Sequence, residues 1–295
     1  MFFKIYCQDV KSDIDLSKFG IKQSEISKSS NYITLEFVHH ELDRTSNYLN
    51  HQTFSDNDFG YYFSEKIALF EILSGSKIVI KYFNKIDNDL IHTLLNYPFA
   101  ILFNQRKKFV IHASCVLFNE KVFCFCGQTQ SGKSSLSSYL IKNGGFLISE
   151  DTCVFETKDT DICVLPSYNF IKISDEVNMY KNISFKDPIN FEKKIKERRG
   201  YILDNNKFHK KLEKVNYFVY LEWSQDSPKL QKLNNKISLR MLQSNEFISF
   251  SKDNAAFKFK VAADLVNQAD HFIYSRRKEL KSLDSFLETF PRKIS

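Results

Sequence analysis

Residues 126–134, CGQTQSGKS, constrain this chain more than any other stretch. They fit the phosphate-loop pattern G-x4-G-K-[ST], with Gly127, Gly132, Lys133 and Ser134 at its fixed positions. A loop that wraps phosphate must turn several backbone N–H groups inward, through conformations and close approaches that glycine adopts most cheaply. Gln128, Thr129, Gln130 and Ser131 supply the intervening N–H groups, and Ser135 follows the loop. The apolar run VFCFC precedes it, and a helical period with Leu136, Leu140 and Ile141 on one side follows over 134–143. That order, strand, loop and helix, is the context in which the helix N-terminus adds its own free N–H groups and dipole to an anion site. It places the chain in the α/β class, with Lys133 reaching the outer phosphates of a nucleotide and the Ser134 hydroxyl available to Mg2+. Gly144 suits the left-handed position that ends such a helix.

Glycine is scarce, eight in 295 residues, and four of the eight fall at 127, 132, 144 and 145. Phe (29) and Tyr (14) supply much of an apolar fraction of 43%. The net charge of +7 fits an ordinary lysine-rich surface, and no zinc-finger or RNA-recognition pattern accompanies it. The six cysteines lack the repeated CxxC spacing of metal sites, and the start MFFKIYCQDV lacks a secretory pattern, so reduced thiols in a cytoplasmic protein are expected. No apolar run approaches the roughly 20 residues of a membrane span.

The first part, 1–85, reads as a strand-rich region, and 86–295 as the domain that carries the phosphate loop. MFFKIYC, NYITLEFV and SKIVIKYF alternate as strands, Ser74-Gly75-Ser76 reads as a turn, and the polar stretch from about 40 to 65 reads as loop. Residues 87–104 read as a helix with Leu90, Leu94, Leu95, Ile101 and Leu102 on its apolar face, capped by Asp87 or Asn88 and kinked or divided by Pro98. FVIHASCVLF and KVFCFCG flank Asn119-Glu120 as a hairpin. FLIS (146–149) reads as a strand beside the loop strand, NYFVYLEW as another, and 255–290 as helix, strand and helix. The charged segment 186–214 reads as a solvated helix or a substrate loop.

A phosphate loop needs a second metal ligand and, for transfer, a group that accepts the proton of the acceptor. Glu150 and Asp151 end the FLIS strand, where ligands gather in parallel sheets. Adjacent residues of an extended chain point to opposite faces, so both acids meet the phosphates only if the chain turns there. His112 lies within VIHASCV, on the strand before the loop strand; by position alone it fits either a core histidine or a site histidine.

The run FVIHASCVLFNEKVFCFCGQTQSGKSSLSSYLIKNGGFLISED resembles the HPr kinase/phosphorylase superfamily, most nearly its smaller HPr-kinase-related members. Arg106, His112-Ala113-Ser114, Gly127 to Ser134, Gly144 and Glu150-Asp151 fall at matching places over about 85–155. Weaker similarity continues through LPSYNFIKIS, KERRGYIL, NYFVYLE and HFIYSRR. The resemblance implies a P-loop core sheet flanked by helices, related to the phosphoenolpyruvate carboxykinases, and transfer of the γ-phosphoryl group of ATP to a serine hydroxyl with Mg2+. It implies Lys133 on the β/γ phosphates, Ser134 on the metal, Glu150 as catalytic base, Asp151 as the neighbouring metal or orienting carboxylate, with Glu150 near enough to share the ion, and His112 near both. Arg198 or, in first place, Arg199 would neutralise charge on the transferring group.

The family usually has Asp-Asp where this chain has Glu150-Asp151, and its downstream E-I-R-G-x-G segment is absent. Both departures argue against HPr itself as acceptor and against reverse phosphorolysis. Related small kinases that accompany peptide-modifying enzymes phosphorylate peptide serines, so a peptide or protein acceptor, such as a modified-peptide precursor, is the expectation. The basic segment 193–214 would recruit an acidic acceptor. Family members form homo-oligomers, an assembly the resemblance admits here. A small-molecule kinase acting on free serine or a similar metabolite, and a non-catalytic ATP-gated binding module, use the same residues.

Overall fold

A computed structural model gives the fold, and its described residues are 1–19, 21–25, 32–41, 53–181, 188–189, 198–247 and 254–290. Period-two alternation near the N-terminus builds β1 (Phe2–Ile5), β2 (Gln8–Ser12), β3 (Ile33–His39), β4 (Thr53–Ser55), β5 (Phe59–Ser64), β6 (Ala68–Leu73) and β7 (Lys77–Tyr82). They form one mixed sheet in the order β1-β2-β3-β7-β6-β5-β4. Ser74 (φ 46°) and Gly75 (φ 61°) make the turn between β6 and β7. The sequence expectation of loop up to residue 65 fails over 53–64. There Phe54 stacks on its cross-strand partner Tyr61 at 5.9 Å, and such aromatic pairs stabilise strands that polar neighbours disguise. The rest of that expectation, 42–52, falls outside the described residues.

The next segment forms α1 (Asn88–Leu94) and α2 (Tyr97–Gln105). Asp87 caps α1 by accepting from the Leu90 N–H at 2.9 Å. The helix is divided as the proline predicts, with Pro98 in the first turn of α2, where its missing N–H costs nothing. In place of one apolar face, α2 is buried from Pro98 through Gln105. It lies between the N-terminal sheet and the strands that follow, in a single core cluster that joins Phe3, Phe70 and Ile80 to Phe99, Phe103, Val154 and Tyr168. Fully burying a Phe such as Phe99 or Phe103 stabilises by about 1.5–3 kcal/mol. Arg106, at the end of α2, donates to the Gly75 carbonyl and, at 2.8 Å, to Gln8 Oε1.

The larger sheet starts with β8 (Phe109–Phe118) and β9 (Lys121–Cys126), joined through Asn119 (φ 47°) and Glu120 (φ 61°). Two consecutive left-handed residues are the turn that matches the twist of a hairpin. After the phosphate loop come α3 (Lys133–Lys142), β10 (Phe146–Ser149), β11 (Thr152–Lys158), β12 (Asp161–Val164), β13 (Phe170–Ser174), α4 (Asp175–Lys181), β14 (Pro188–Ile189), β15 (Arg198–Ile202), β16 (Glu213–Lys214), β17 (Tyr217–Trp223), β18 (Lys229–Lys232), α5 (Asn235–Ser244), α6 (Ala255–Gln268), β19 (Asp270–Arg276) and α7 (Asp284–Thr289). The sheet order is β16-β12-β11-β8-β9-β17-β19-β18, with β10 on β8. β9, β17 and β19 run parallel, and the outer strands make the sheet mixed. One face packs on α5 and α6 through Leu242, Val261 and Leu265, the other on α3 and α7 through Leu136, Leu140 and Phe286. The class is therefore α/β. Gly144 (φ 103°) ends α3, and the Gly145 N–H returns to the Leu140 carbonyl at 2.9 Å, which satisfies a carbonyl of the last turn.

Two expectations are corrected. The FLIS strand, β10, does not neighbour the loop strand: it pairs antiparallel with β8, and the parallel neighbour of β9 is β17. Within 186–214 the described residues form no long helix. β14 and β15 instead join β13 in a three-stranded sheet, because Tyr201 and Gly200 sit between partners on both sides.

Candidate functional site

The chain leaves β9 at Gly127 (φ 137°), passes Gln130 (φ 72°) and enters α3 through Gly132 (φ 95°). A Cβ on Gly127 would stand 2.8 Å from the Leu221 carbonyl oxygen and from Ser131 Oγ, and one on Gly132 would collide with the Arg276 guanidinium. Both glycines are therefore required by conformation and by space. The Lys133 ammonium curls back over the loop and donates to the carbonyls of Gly127 at 2.8 Å and Gln128 at 3.2 Å. Gln128 and Thr129 are exposed at the rim, Gln130, Ser134 and Ser135 are partly buried, and Ser131 is buried with its Oγ unpartnered among the described residues.

Three residues outside the motif hold the loop. Asn245, the C-cap of α5, accepts the Gly127 N–H on its side-chain oxygen at 2.9 Å. Trp223 donates its indole N–H to the Gln130 carbonyl at 3.2 Å. Arg276 lies beneath Gly132 with Trp223 stacked 4.4 Å from its guanidinium carbon. Arg276 is 3% exposed, donates to Ser282 Oγ at 2.6 Å, and keeps a buried Nε without a partner among the described residues. Burial pulls its pKa down to about 10, which leaves it charged at neutral pH, a fixed positive charge behind the loop.

The acids sit where β10 gives way to β11. Asp151 adopts φ 58°, and the Thr152 N–H closes on the Glu150 carbonyl at 2.7 Å. This tight turn is the condition under which neighbouring acids can share one site. Glu150 points inward, is 3% exposed, and accepts from Ser114 Oγ on β8, which in turn bonds Ser137 Oγ of α3 at 2.6 Å. The Ser134 side chain also acts on it, favouring the charged carboxylate. Its other oxygen, Oε1, is buried without a partner among the described residues. Asp151, 26% exposed at its side chain, faces His92 Nε2 across 3.6 Å.

Burial, reinforced by the Asp151 charge, pushes the Glu150 carboxyl up to about 8, while Ser114 and Ser134 pull the other way. Burial would raise Asp151 too, but a hydrogen bond from His92 and the charges of His112, His92 and Lys172 hold it well below the usual carboxylate range. Two adjacent acids thus differ: one anionic, one holding its proton near neutral pH. His112 is pulled below its usual range by burial and by Lys133, against the opposing effect of Asp151.

Three cavities meet at His112. One of about 210 Å³ is lined by Gly132, Lys133, Ser134, Ser135, Asp151 and Lys172. One of about 600 Å³ runs along Gly127, Gln128, Trp223 and Asn245. The third, about 460 Å³, extends from Asp151 to the N-terminal sheet. The structure thus gathers Lys133, Ser134, Asp151 and His112 in one cavity, with Glu150 buried beside Asp151 and lining none of the three, and it leaves Arg199 out. Arg199 pairs with Asp175 at 3.1 Å, has a side chain 47% exposed, and lines none of the three cavities. Arg198 lies on the same strand. The cation beside the acids is Lys172 of β13, whose register partner is Gly200, next to Arg199. Sequence reasoning missed Lys172, His92, Asn245, Trp223 and Arg276. Lys172 and Arg276 had a local signal, their places in LPSYNFIKIS and HFIYSRR.

Among the described residues, no group of three or more His, Cys, Asp and Glu side chains is placed to hold a metal ion unaided. The oxygen donors of Ser134 and Asp151 in one small cavity fit a hard cation that completes its shell with phosphate and water, as magnesium does. No helix among the described residues is long and apolar enough to cross a membrane.

No protein-family model matches the chain, and no curated protein does. Among solved structures, that of the HPr(Ser) kinase/phosphatase from Coxiella burnetii is similar at 13% identity with a TM-score of 0.33, over 62% of this chain and 88% of that one. The likeness is weak, and family membership does not follow from it.

Proposed function

We propose that this protein is an ATP- and magnesium-dependent kinase that transfers the γ-phosphoryl group to a serine hydroxyl of a peptide or protein. The carrying observation is the turn at Asp151. It turns Glu150 inward onto Ser114, whose hydroxyl also bonds Ser137 of α3, and puts Asp151 into the same cavity as Lys133 and Ser134. A phosphate loop with two acids directed at it is the minimum equipment for in-line transfer.

In this reading the loop N–H groups and Lys133 hold the β and γ phosphates. Ser134 and Asp151 would hold magnesium, with Glu150 within reach of it; when bound, the ion would offset charge on the phosphate oxygens. The acceptor oxygen forms its bond to the γ-phosphorus as the bond to the β–γ bridging oxygen breaks, ADP leaves, and the hydroxyl proton passes to Glu150. Lys172 takes the charge-neutralising role that the sequence suggested for Arg199, since it lines the cavity at the loop and Arg199 does not. His112, whose pKa burial lowers, sets its imidazole beside Asp151 at the mouth of the cavity.

The raised Glu150 pKa favours one other reading, an ATP-gated binding module, because a carboxyl that holds its proton near pH 7 is a poor base there. Labelled ATP, offered with a panel of serine-containing peptides to the wild type and to Glu150→Gln, separates the two. Transfer by the wild type alone supports the kinase. ATP binding by both proteins with transfer by neither supports the module.

A further inference from the structure

The cleft of about 460 Å³ on the far side of Asp151 is walled by the N-terminal sheet as well as by the phosphate-loop domain. Its size falls within the roughly 300–1,000 Å³ of small-ligand pockets, enough for a short peptide segment and too little for a folded partner to enter. His112, Thr129, Asp151 and Lys172 line both this cleft and the 210 Å³ cavity at Lys133 and Ser134, so the two open on the same atoms.

One wall is aromatic and continuous. Tyr62 of β5 stacks on Tyr97 of α2 with centroids 4.7 Å apart and planes 2° from parallel. Phe247 meets Tyr97 edge-on at 4.7 Å, and its ring lies 5.4 Å from His112. Ile67 extends the apolar surface. The other wall carries Asp89, Asp151 and Glu246 against Lys172 and the imidazoles of His92 and His112. Glu246 faces Lys258 at 3.7 Å and Asp151 faces His92 at 3.6 Å, and within the lining itself the three carboxylates outnumber the one lysine.

We propose that this cleft binds the acceptor as a seryl unit whose neighbouring residue offers an aromatic or aliphatic face and carries no negative charge. The inference rests on the phosphotransfer reading and sharpens it. The N-terminal sheet becomes a specificity element, and the acceptor is neutral or cationic near its serine, in contrast to the acidic acceptor that the basic segment suggested. A carboxylate beside the serine would meet Asp89 and Asp151 at close range, where like charges suppress a wrong partner. Free serine supplies the hydroxyl but nothing for the aromatic wall.

Blocked tripeptides with a central serine, flanked by Phe, Lys or Glu, and free L-serine as a fourth arm, test this in two measurements: phosphate transfer from labelled ATP, and binding by calorimetry in the presence of a non-hydrolysable ATP analogue. The Phe- and Lys-flanked peptides should be used at least tenfold better than the Glu-flanked peptide or free serine, the order of discrimination that a few pocket contacts provide. Tyr62→Ala should raise the peptide KM about tenfold with affinity for the ATP analogue unchanged, and Tyr62→Phe should restore it. Asp89→Asn should narrow the bias against the Glu-flanked peptide. A preference for the Glu-flanked peptide, or a peptide KM unmoved in both Tyr62→Ala and Asp89→Asn, overturns the cleft assignment and leaves the kinase standing. Peptide binding that is lost in Tyr62→Ala, without transfer to any acceptor, overturns the kinase and supports the cleft. Neither binding nor transfer overturns both.

Discussion

On one side of Asp151 most of the wall comes from one short run, 129–135, with His112 and 172–174 beside it; on the other it comes from Tyr62, Tyr97 and Phe247, scattered over most of the chain. The phosphate side is made largely of backbone, held by positive φ angles at Gly127, Gln130 and Gly132. The acceptor side is made of side chains that meet only because the N-terminal sheet packs on α2. A surface made of backbone recognises what every nucleotide shares. A surface made of side chains can differ from protein to protein, and there selectivity belongs.

The sharpest attempt to break this division is at the acid next to Asp151, the residue that both sides share. Glu150→Gln keeps the hydrogen-bonding shape but cannot take a proton, so phosphate transfer should fall about 10²- to 10⁴-fold with ATP affinity retained. In the wild type, kcat/KM should climb as pH rises toward about 8, because the base works only after Glu150 has lost its proton. Transfer rates measured from pH 6 to 9 decide both points, and a flat profile with undiminished Glu150→Gln activity moves the base elsewhere. Lys133→Ala probes the phosphate side alone. Removing the ammonium that faces the phosphates should lower transfer about 10²- to 10³-fold, the usual loss when one preorganised charge partner is deleted. Equal activity would mean that the loop does not hold the transferring group.

What could be foreseen from the sequence follows the same division. The hairpin at Asn119-Glu120, the Asp87 cap, the split at Pro98 and the end of α3 at Gly144 are local, each set by residues within a few positions. The phosphate loop is local in the same sense. The neighbour of β10 was misjudged because pairing depends on which edge of β8 is open, and nothing in FLIS carries that information. The strand RRGYI hid within a charged segment because its partners, Phe170–Ser174 and Pro188–Ile189, lie upstream. The sequence points to Arg199 and passes over Lys172 for the same reason: both belong to one sheet, and only the register sends Lys172 to the cavity and Arg199 to Asp175. Asp151 lies between these cases. Its left-handed turn decides whether the acids share a site, and an Asp there is permissive without being diagnostic.

The histidines extend the comparison to stability. His112 lines the site, whereas His271 on β19 is 3% exposed, stacked 4.7 Å from Phe218 and hydrogen-bonded with the Tyr220 hydroxyl at 3.1 Å. Burial pulls its pKa down to about 4, from about 6.5 when unfolded. Between those values the unfolded chain binds more protons than the folded one. Stability is therefore full above about pH 6.5 and falls as pH drops, by about 3 kcal/mol once pH reaches 4. Urea midpoints at pH 7 and pH 4 should differ far less in His271→Gln than in the wild type. An identical loss in both would remove His271 as the cause. Because this effect ends near pH 6.5, it leaves the Glu150 profile above that pH undistorted.

The smallest effect tests the backbone side most cleanly. Gly144 has φ 103°, and a Cβ there would meet nothing within 4 Å. Gly144→Ala therefore isolates conformation from collision, with an expected loss of about 1–2 kcal/mol, the usual penalty of a left-handed L-residue. Gly132→Ala adds the collision with Arg276 to a similar backbone angle, so it should cost more and should also weaken nucleotide binding. If thermal unfolding ranks the two variants equally, the Arg276 guanidinium moves aside freely, and the phosphate side is held less by backbone and more by adaptable side chains than the comparison asserts.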